Sequence, residues 1–129
     1  MNSYFLKFRL PVYLYLLLIF VMSSLKQVDI PQPDVPLWDK WIHFVEYAVL
    51  GFLLMRNLTT ESVQKLKENA VLVTFFFGTF YGASDEIHQY FVPGRYCDFM
   101  DFVADTLGIL LGIGIWEIYI KIKNYFSSS

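Results

Sequence analysis

The sequence predicts an all-α membrane protein built from four transmembrane helices in an antiparallel bundle. Three observations carry this. Hydrophobic residues make up 56% of the 129, and charged residues only 17%, against about 25% in an ordinary soluble domain. Four apolar segments approach the roughly 20 residues needed to cross a bilayer. The connections between them are brief, which sets successive helices antiparallel.

The first segment lies near residues 8–25, "LPVYLYLLLIFVMSSL" with flanks. Lys7 and Arg9 ahead of an apolar run are also what a secretory signal peptide shows, but "VMSSLKQ" lacks a small-residue cleavage pattern, so an uncleaved helix is expected. The second lies near 40–56, the third near 69–91 and the fourth near 99–122. Prolines keep "DIPQPDVP" extended between the first two, and "TTESVQKLKE" forms the next connector, with room for a short turn of helix. The chain reads as one domain.

Orientation follows from the basic residues. With the N-terminus inside, Lys7, Arg9, Arg56, Lys65, Lys67, Lys121 and Lys123 are cytoplasmic, leaving Lys26, Lys40 and Arg95 outside; this obeys the positive-inside rule. Both termini are then cytoplasmic. Trp38, Trp41, Tyr90 and Tyr96 suit the outer interface, and Trp116 and Tyr119 the inner one. The lone Cys97 excludes an internal disulfide, and no basic stripe points to nucleic acid.

Under this topology the ionisable residues concentrate in the external half. Asp39, His43, Glu46 and Tyr47 share one face of the second helix by their spacing. Asp98, Asp101 and Asp105 repeat the pattern on the fourth, continued inward by Gly108 and Gly112. On the third, Asp85 and Gln89 follow Gly78 and Gly82, while Glu86 and His88 fall on either side of that stripe. The third helix is therefore expected in the middle, one of that pair facing the second helix and the other the fourth. Pro93-Gly94 makes a tight turn that sets Arg95 above the acidic layer, to pair with Asp98 or Asp101 or to grip an external anion.

Burying an acidic side chain near mid-membrane costs about 2.5–3.5 kcal/mol on translocon scales, so the layer is expected to be offset by mutual pairing, a bound cation, bound water or a ligand. His43-x-x-Glu46 and Asp85-x-x-His88 each set an imidazole one turn from a carboxylate, a spacing usable by a divalent cation. Neither is the H-E-x-x-H pattern, and no metal set is assigned. Carboxylates beside histidine also suit acid–base hydrolysis or transfer on a lipid-linked envelope substrate, whereas plain ion pairing between helices is the structural alternative. Transport is disfavoured, since no ionisable path reaches the inner half.

Two runs carry a family resemblance. "DKWIHFVEYAVLGFLL" resembles the first block of the VanZ-like membrane proteins, D-K-x-x-H-F-x-x-Y-x-x-L-G, and "YGASDEIHQYFVPGRYCDFMDFVADTLG" resembles the second, D-E-x-H-Q-x-F-x-P-G-R followed by an acid and N/D-x-x-G. The resemblance implies that Asp39, His43, Tyr47, Asp85, Glu86, His88, Gln89, Pro93, Gly94, Arg95, Asp101 and Asp105 are the family's polar positions. Asp105 stands where asparagine is frequent, and Asp98 lies outside the pattern. The family's namesake is associated with resistance to the glycopeptide teicoplanin, which implies an envelope connection.

The expected ligand set is thus Asp39, His43, Glu46, Tyr47, Asp85, Glu86, His88, Gln89, Arg95, Asp101 and Asp105. Glu86 and the two histidines are the acid–base or metal candidates, Arg95 the anion contact, and Asp101 and Asp105 the orienting partners. The expected partners are the lipid bilayer and an envelope lipid, peptidoglycan precursor or glycopeptide; the sequence assigns no cofactor and no reaction.

Overall fold

The computed structural model describes residues 3–25 and 36–128. Lys26, Asp29, Asp34 and most of the proline-rich connector lie outside the described residues. Among these the regular structure is entirely helical. A π-helical turn, Phe5–Arg9, runs into α1, Leu10–Ser23. Pro11 has no N–H to offer the Lys7 carbonyl, and the wider register ahead of it accommodates this, with the Leu10 N–H donating to the Phe5 carbonyl. Then follow α2, Trp38–Thr59; the short α3, Gln64–Glu68; α4, Ala70–Tyr90; and α5, Phe99–Ser127. Asp98 caps α5 by accepting the Met100 N–H at 2.8 Å. The four expected segments are α1, α2, α4 and α5, and α3 is the helical turn in the connector.

Among the described residues, two helical stretches, Phe5–Ser23 and Phe99–Ser127, are long and apolar enough to cross a membrane. At 1.5 Å per residue α2 and α4 also reach about 30 Å, but each carries a polar face that lowers its hydropathy.

Glycines decide the packing. A Cβ on Gly108 would collide with the Phe44 carbonyl, one on Gly112 with the Ala48 carbonyl, and one on Gly51 would sit 2.7 Å from the Ile109 carbonyl. Backbones therefore meet along an α2–α5 seam. His43 pairs with Asp105 and Phe52 with Trp116, so these two helices run parallel. α4 packs antiparallel on both, its Gly78 against Ile109 and its Gly82 against Asp105 and Tyr47. The expected order, with the third crossing helix in the middle, is thus corrected: the tightest pair is α2 with α5, because that is where the small residues face each other. α1 has no glycine and stays peripheral, held by Tyr15 Oη to the Glu46 carbonyl at 3.1 Å and by Tyr81 Oη to the Leu16 carbonyl at 2.7 Å.

Tyr47, Leu50, Met55 and Ile109 are fully enclosed. Trp116, expected at the inner interface, is buried instead, edge-on to Phe52 with centroids 5.3 Å apart. Phe76, Phe80, Leu14 and Leu17 face outward.

Candidate functional site

The α2 face expected from spacing turns into the bundle at His43. Its Nδ1 lies 2.9 Å from Asp105 Oδ1 on α5 and 3.9 Å from Glu86 Oε1 on α4, and its Nε2 lies 4.0 Å from Asp101 Oδ2. All four residues are buried, Asp105 completely. Gly82 makes this approach feasible: a Cβ there would stand 3.0 Å from Asp105 Oδ2. A carboxylate only accepts hydrogen bonds, so Nδ1 is the nitrogen that donates to Asp105. Glu86 is oriented by the turn before α5, its Oε2 accepting the Asp98 backbone N–H at 2.8 Å. Glu86 Oε1, Asp105 Oδ2 and the Tyr47 hydroxyl are buried without a hydrogen-bond partner among the described residues.

Above this layer Lys40 gathers three acids, at 2.8 Å from Asp39, 2.6 Å from Asp98 and 2.9 Å from Asp101. The ammonium holds the Asp98 carboxyl below the usual carboxylate range, helped by the Met100 N–H. Sequence reasoning counted Lys40 only as an outside charge and a pairing candidate; its position three residues before His43, on the same face, was the available signal.

Arg95 corrects an expectation. It pairs with neither Asp98 nor Asp101, which Lys40 already contacts. Its Nε and NH2 instead donate to the Leu25 and Met22 carbonyls at 3.1 and 3.2 Å, satisfying the open C-terminal end of α1. NH1 points to Gln89 Oε1 at 3.4 Å, and Gln89 Nε2 donates to Asp85 Oδ2 at 3.0 Å. The turn that delivers Arg95 is type II: its N–H meets the Val92 carbonyl at 3.0 Å, and Gly94 has φ of 83°.

A cavity of about 70 Å³ opens between α1, α2 and α4. Asp39, His43 and Glu46 line it from α2, Asp85 and Gln89 from α4, Met22 and Ser23 from α1, with Arg95 at its rim and Trp38 and Ile42 completing the wall. The acids that the sequence sets on the second, third and fourth crossing helices do not all share this cavity: Asp101, Asp105 and Glu86 sit behind His43 rather than lining it.

His88 belongs to neither group. It faces α1 rather than the fourth crossing helix, its Nδ1 2.9 Å from Ser23 Oγ and its ring stacked on Phe20 at 4.7 Å. Tyr47 is enclosed below the layer, its ring 6.5 Å from Tyr81. The expected set is therefore divided: Asp39, His43, Glu46, Asp85, Gln89 and Arg95 around the cavity, Glu86, Asp101 and Asp105 behind it, and His88 apart. At the other end of the bundle an unforeseen pair joins Arg9 to Glu61, whose two oxygens both lie 2.9 Å from Arg9 NH2. The guanidinium holds the Glu61 carboxyl below its ordinary range.

Among the described residues, two groups of side chains have the proximity to hold a metal ion: His43, Glu86 and Asp105, and Asp39, Asp98 and Asp101. Lys40 already supplies a cation to the second.

The sequence pattern of the family described as VanZ/LLP1 matches residues 8–120. No curated protein and no solved structure matches the chain.

Proposed function

The chain belongs to the VanZ/LLP1 family, and from that premise we propose a four-span inner-membrane protein that binds the polar head of a cell-envelope component on its extracytoplasmic side. The inside-out distribution of side chains supports the spans: Asp105 and Glu86 are buried, while Phe80 is 75% exposed. Such an arrangement suits a lipid surround, where an outward Phe costs nothing and an outward carboxylate is expensive. The basic residues at one end, Lys7, Arg56, Lys67 and Lys123, border a common groove, which supports placing that end, and both termini, on the cytoplasmic side.

The observation that carries the binding reading is the cavity. Three carboxylates, Asp39, Glu46 and Asp85, line a space of about 70 Å³, enough for a few water-sized groups. Its occupant is the hydroxyl- or amine-bearing head of an envelope lipid or lipid-linked precursor, which donates to those acids while its chains remain in the bilayer. The test is native mass spectrometry of the protein released from its own membranes. A defined lipid should stay bound to the wild type and be lost from Asp85→Asn and Glu46→Gln. Equal lipid retention by all three would refute the reading.

A second reading is favoured by His43, which lines the cavity with its ring held by Asp105. A histidine oriented by a carboxylate is the arrangement of a general base, and it supports hydrolysis or transfer on the bound head group. Turnover of the retained lipid by wild type and not by His43→Gln separates this from binding alone. A link to glycopeptide resistance is tested by teicoplanin susceptibility on overexpression.

A further inference from the structure

We propose that His43, Glu86 and Asp105 form a binding site for a divalent transition-metal cation, Zn²⁺ or Mn²⁺. One nitrogen and two carboxylate oxygens from three different helices lie within 4.8 Å of one another, and all three residues are buried. These are the donor types that such cations take, three from protein with positions left for water or substrate. Neither sequence spacing that placed a histidine one turn from an acid contributes this set; it exists only because the glycine seam brings α5 against α2.

Glu86 Oε1 adds to the proximity of these acids: it belongs to a residue 3% exposed, points to within 3.9 Å of His43 Nδ1, and has no hydrogen-bond partner among the described residues. Its sister oxygen is fixed by the Asp98 N–H at 2.8 Å, so Oε1 is held toward the imidazole. Buried charges are paired or coordinate metal. Among the described residues His43 is the basic group that pairs with Glu86 and Asp105, and Lys40 is shared among Asp39, Asp98 and Asp101. One imidazole cannot neutralise the remainder; a divalent ion does.

The surroundings have the character of a second shell. If Nδ1 ligates, it gives up its proton, and Nε2–H is left facing Asp101 at 4.0 Å. Asp101 is in turn anchored by Lys40 at 2.9 Å. Carboxylate, histidine and metal in line is how ligating histidines are oriented. Two of the three ligands, Glu86 and Asp105, lie outside the cavity lining, so an ion here does not depend on a lipid head in the cavity.

The test uses the full chain in detergent, purified without a polyhistidine tag, stripped with EDTA and dialysed against Zn²⁺ or Mn²⁺. Elemental analysis should find about one ion per chain in the wild type and in His88→Ala, and a loss of about tenfold or more in Glu86→Gln. Binding should also raise the melting temperature of the wild type and not of the variant. Substoichiometric metal in the wild type, or equal metal in Glu86→Gln, overturns the proposal and leaves His43 paired with Asp105 alone. If Glu86→Gln and Asp105→Asn fail to fold, Co²⁺ loading of the wild type decides. Visible bands bleached by Zn²⁺ support the site; their absence overturns it. Lipid retention is a separate readout, so either proposal fails without the other.

Discussion

Lys40 Nζ lies 2.9 Å from Asp101 Oδ1, joining the first turn of α2 to the first turn of α5. Asp101 is the buried member of the pair, and Asp39 and Asp98, which share the ammonium, are half-exposed. Most of the energy therefore belongs to Asp101, because water screens the other two. Lys40→Met leaves that carboxylate without its cation, at a cost of about 1–3 kcal/mol. Adding Asp101→Asn should recover part of the loss. A double-mutant cycle on unfolding free energy checks it; strictly additive effects would mean the two residues are not coupled.

The glycine seam gives a sharper contrast. Gly112→Ala forces a methyl group onto the Ala48 carbonyl and within 2.6 Å of the Phe52 nitrogen. Backbone cannot move aside as a side chain can, so about 1–3 kcal/mol of stability is lost. Gly114, two residues on, has nothing within 4 Å of its would-be Cβ. Gly114→Ala should be neutral or stabilise by up to about 1 kcal/mol through helix propensity. Thermal melts of the two variants side by side test this, and equal destabilisation would show that helix–helix approach is not what Gly112 provides.

The helices were legible because their signals are local: apolar length, prolines between segments, and the Pro93-Gly94 turn. The faces were legible too, since spacing alone put His43 with Asp39 and Glu46, and Asp105 with Asp101. Partner choice was not. Whether Glu86 or His88 looks toward α5 depends on which helices lie beside α4, and that is set by how closely backbones approach at Gly108 and Gly112. The same ignorance misplaced Arg95. Charge complementarity points it at Asp98 and Asp101, but Lys40 reaches those acids first, and the carbonyls ending α1 claim the guanidinium. The Arg9–Glu61 pair was hidden for another reason, its partners being 52 residues apart with no pattern linking them.

Gly94 should prove necessary for its backbone and not for its size. Its φ of 83° lies in the left-handed region, and a Cβ there meets nothing within 4 Å. Gly94→Ala therefore costs about 1–2 kcal/mol through conformation alone. Gly94→Asn, whose side chain tolerates this region, costs less. Since the turn delivers Arg95 to the Met22 and Leu25 carbonyls, Gly94→Val and Arg95→Ala should both speed hydrogen exchange at the C-terminal end of α1. Unchanged exchange there in Arg95→Ala would deny the capping role.

At the opposite end, the loop carboxylate of Glu61 contributes a stability that depends on pH. Arg9 hydrogen-bonds to it and depresses its folded pKa, aided by the Ser62 N–H and the Tyr4 hydroxyl. A group whose pKa is lower folded than unfolded stabilises fully above the unfolded value, near 4.3 for glutamate. That stabilisation drains away as pH falls from there through the folded pKa. Wild type should therefore melt higher than Glu61→Gln at pH 7, and the gap should close as the medium is taken below about pH 4. Arg9 is partly exposed, so 1 M salt should narrow the gap at pH 7 as well. A gap that is constant from neutral to acid pH would mean that Glu61 contributes through neutral hydrogen bonds and packing, and that its pairing with Arg9 adds no net stability.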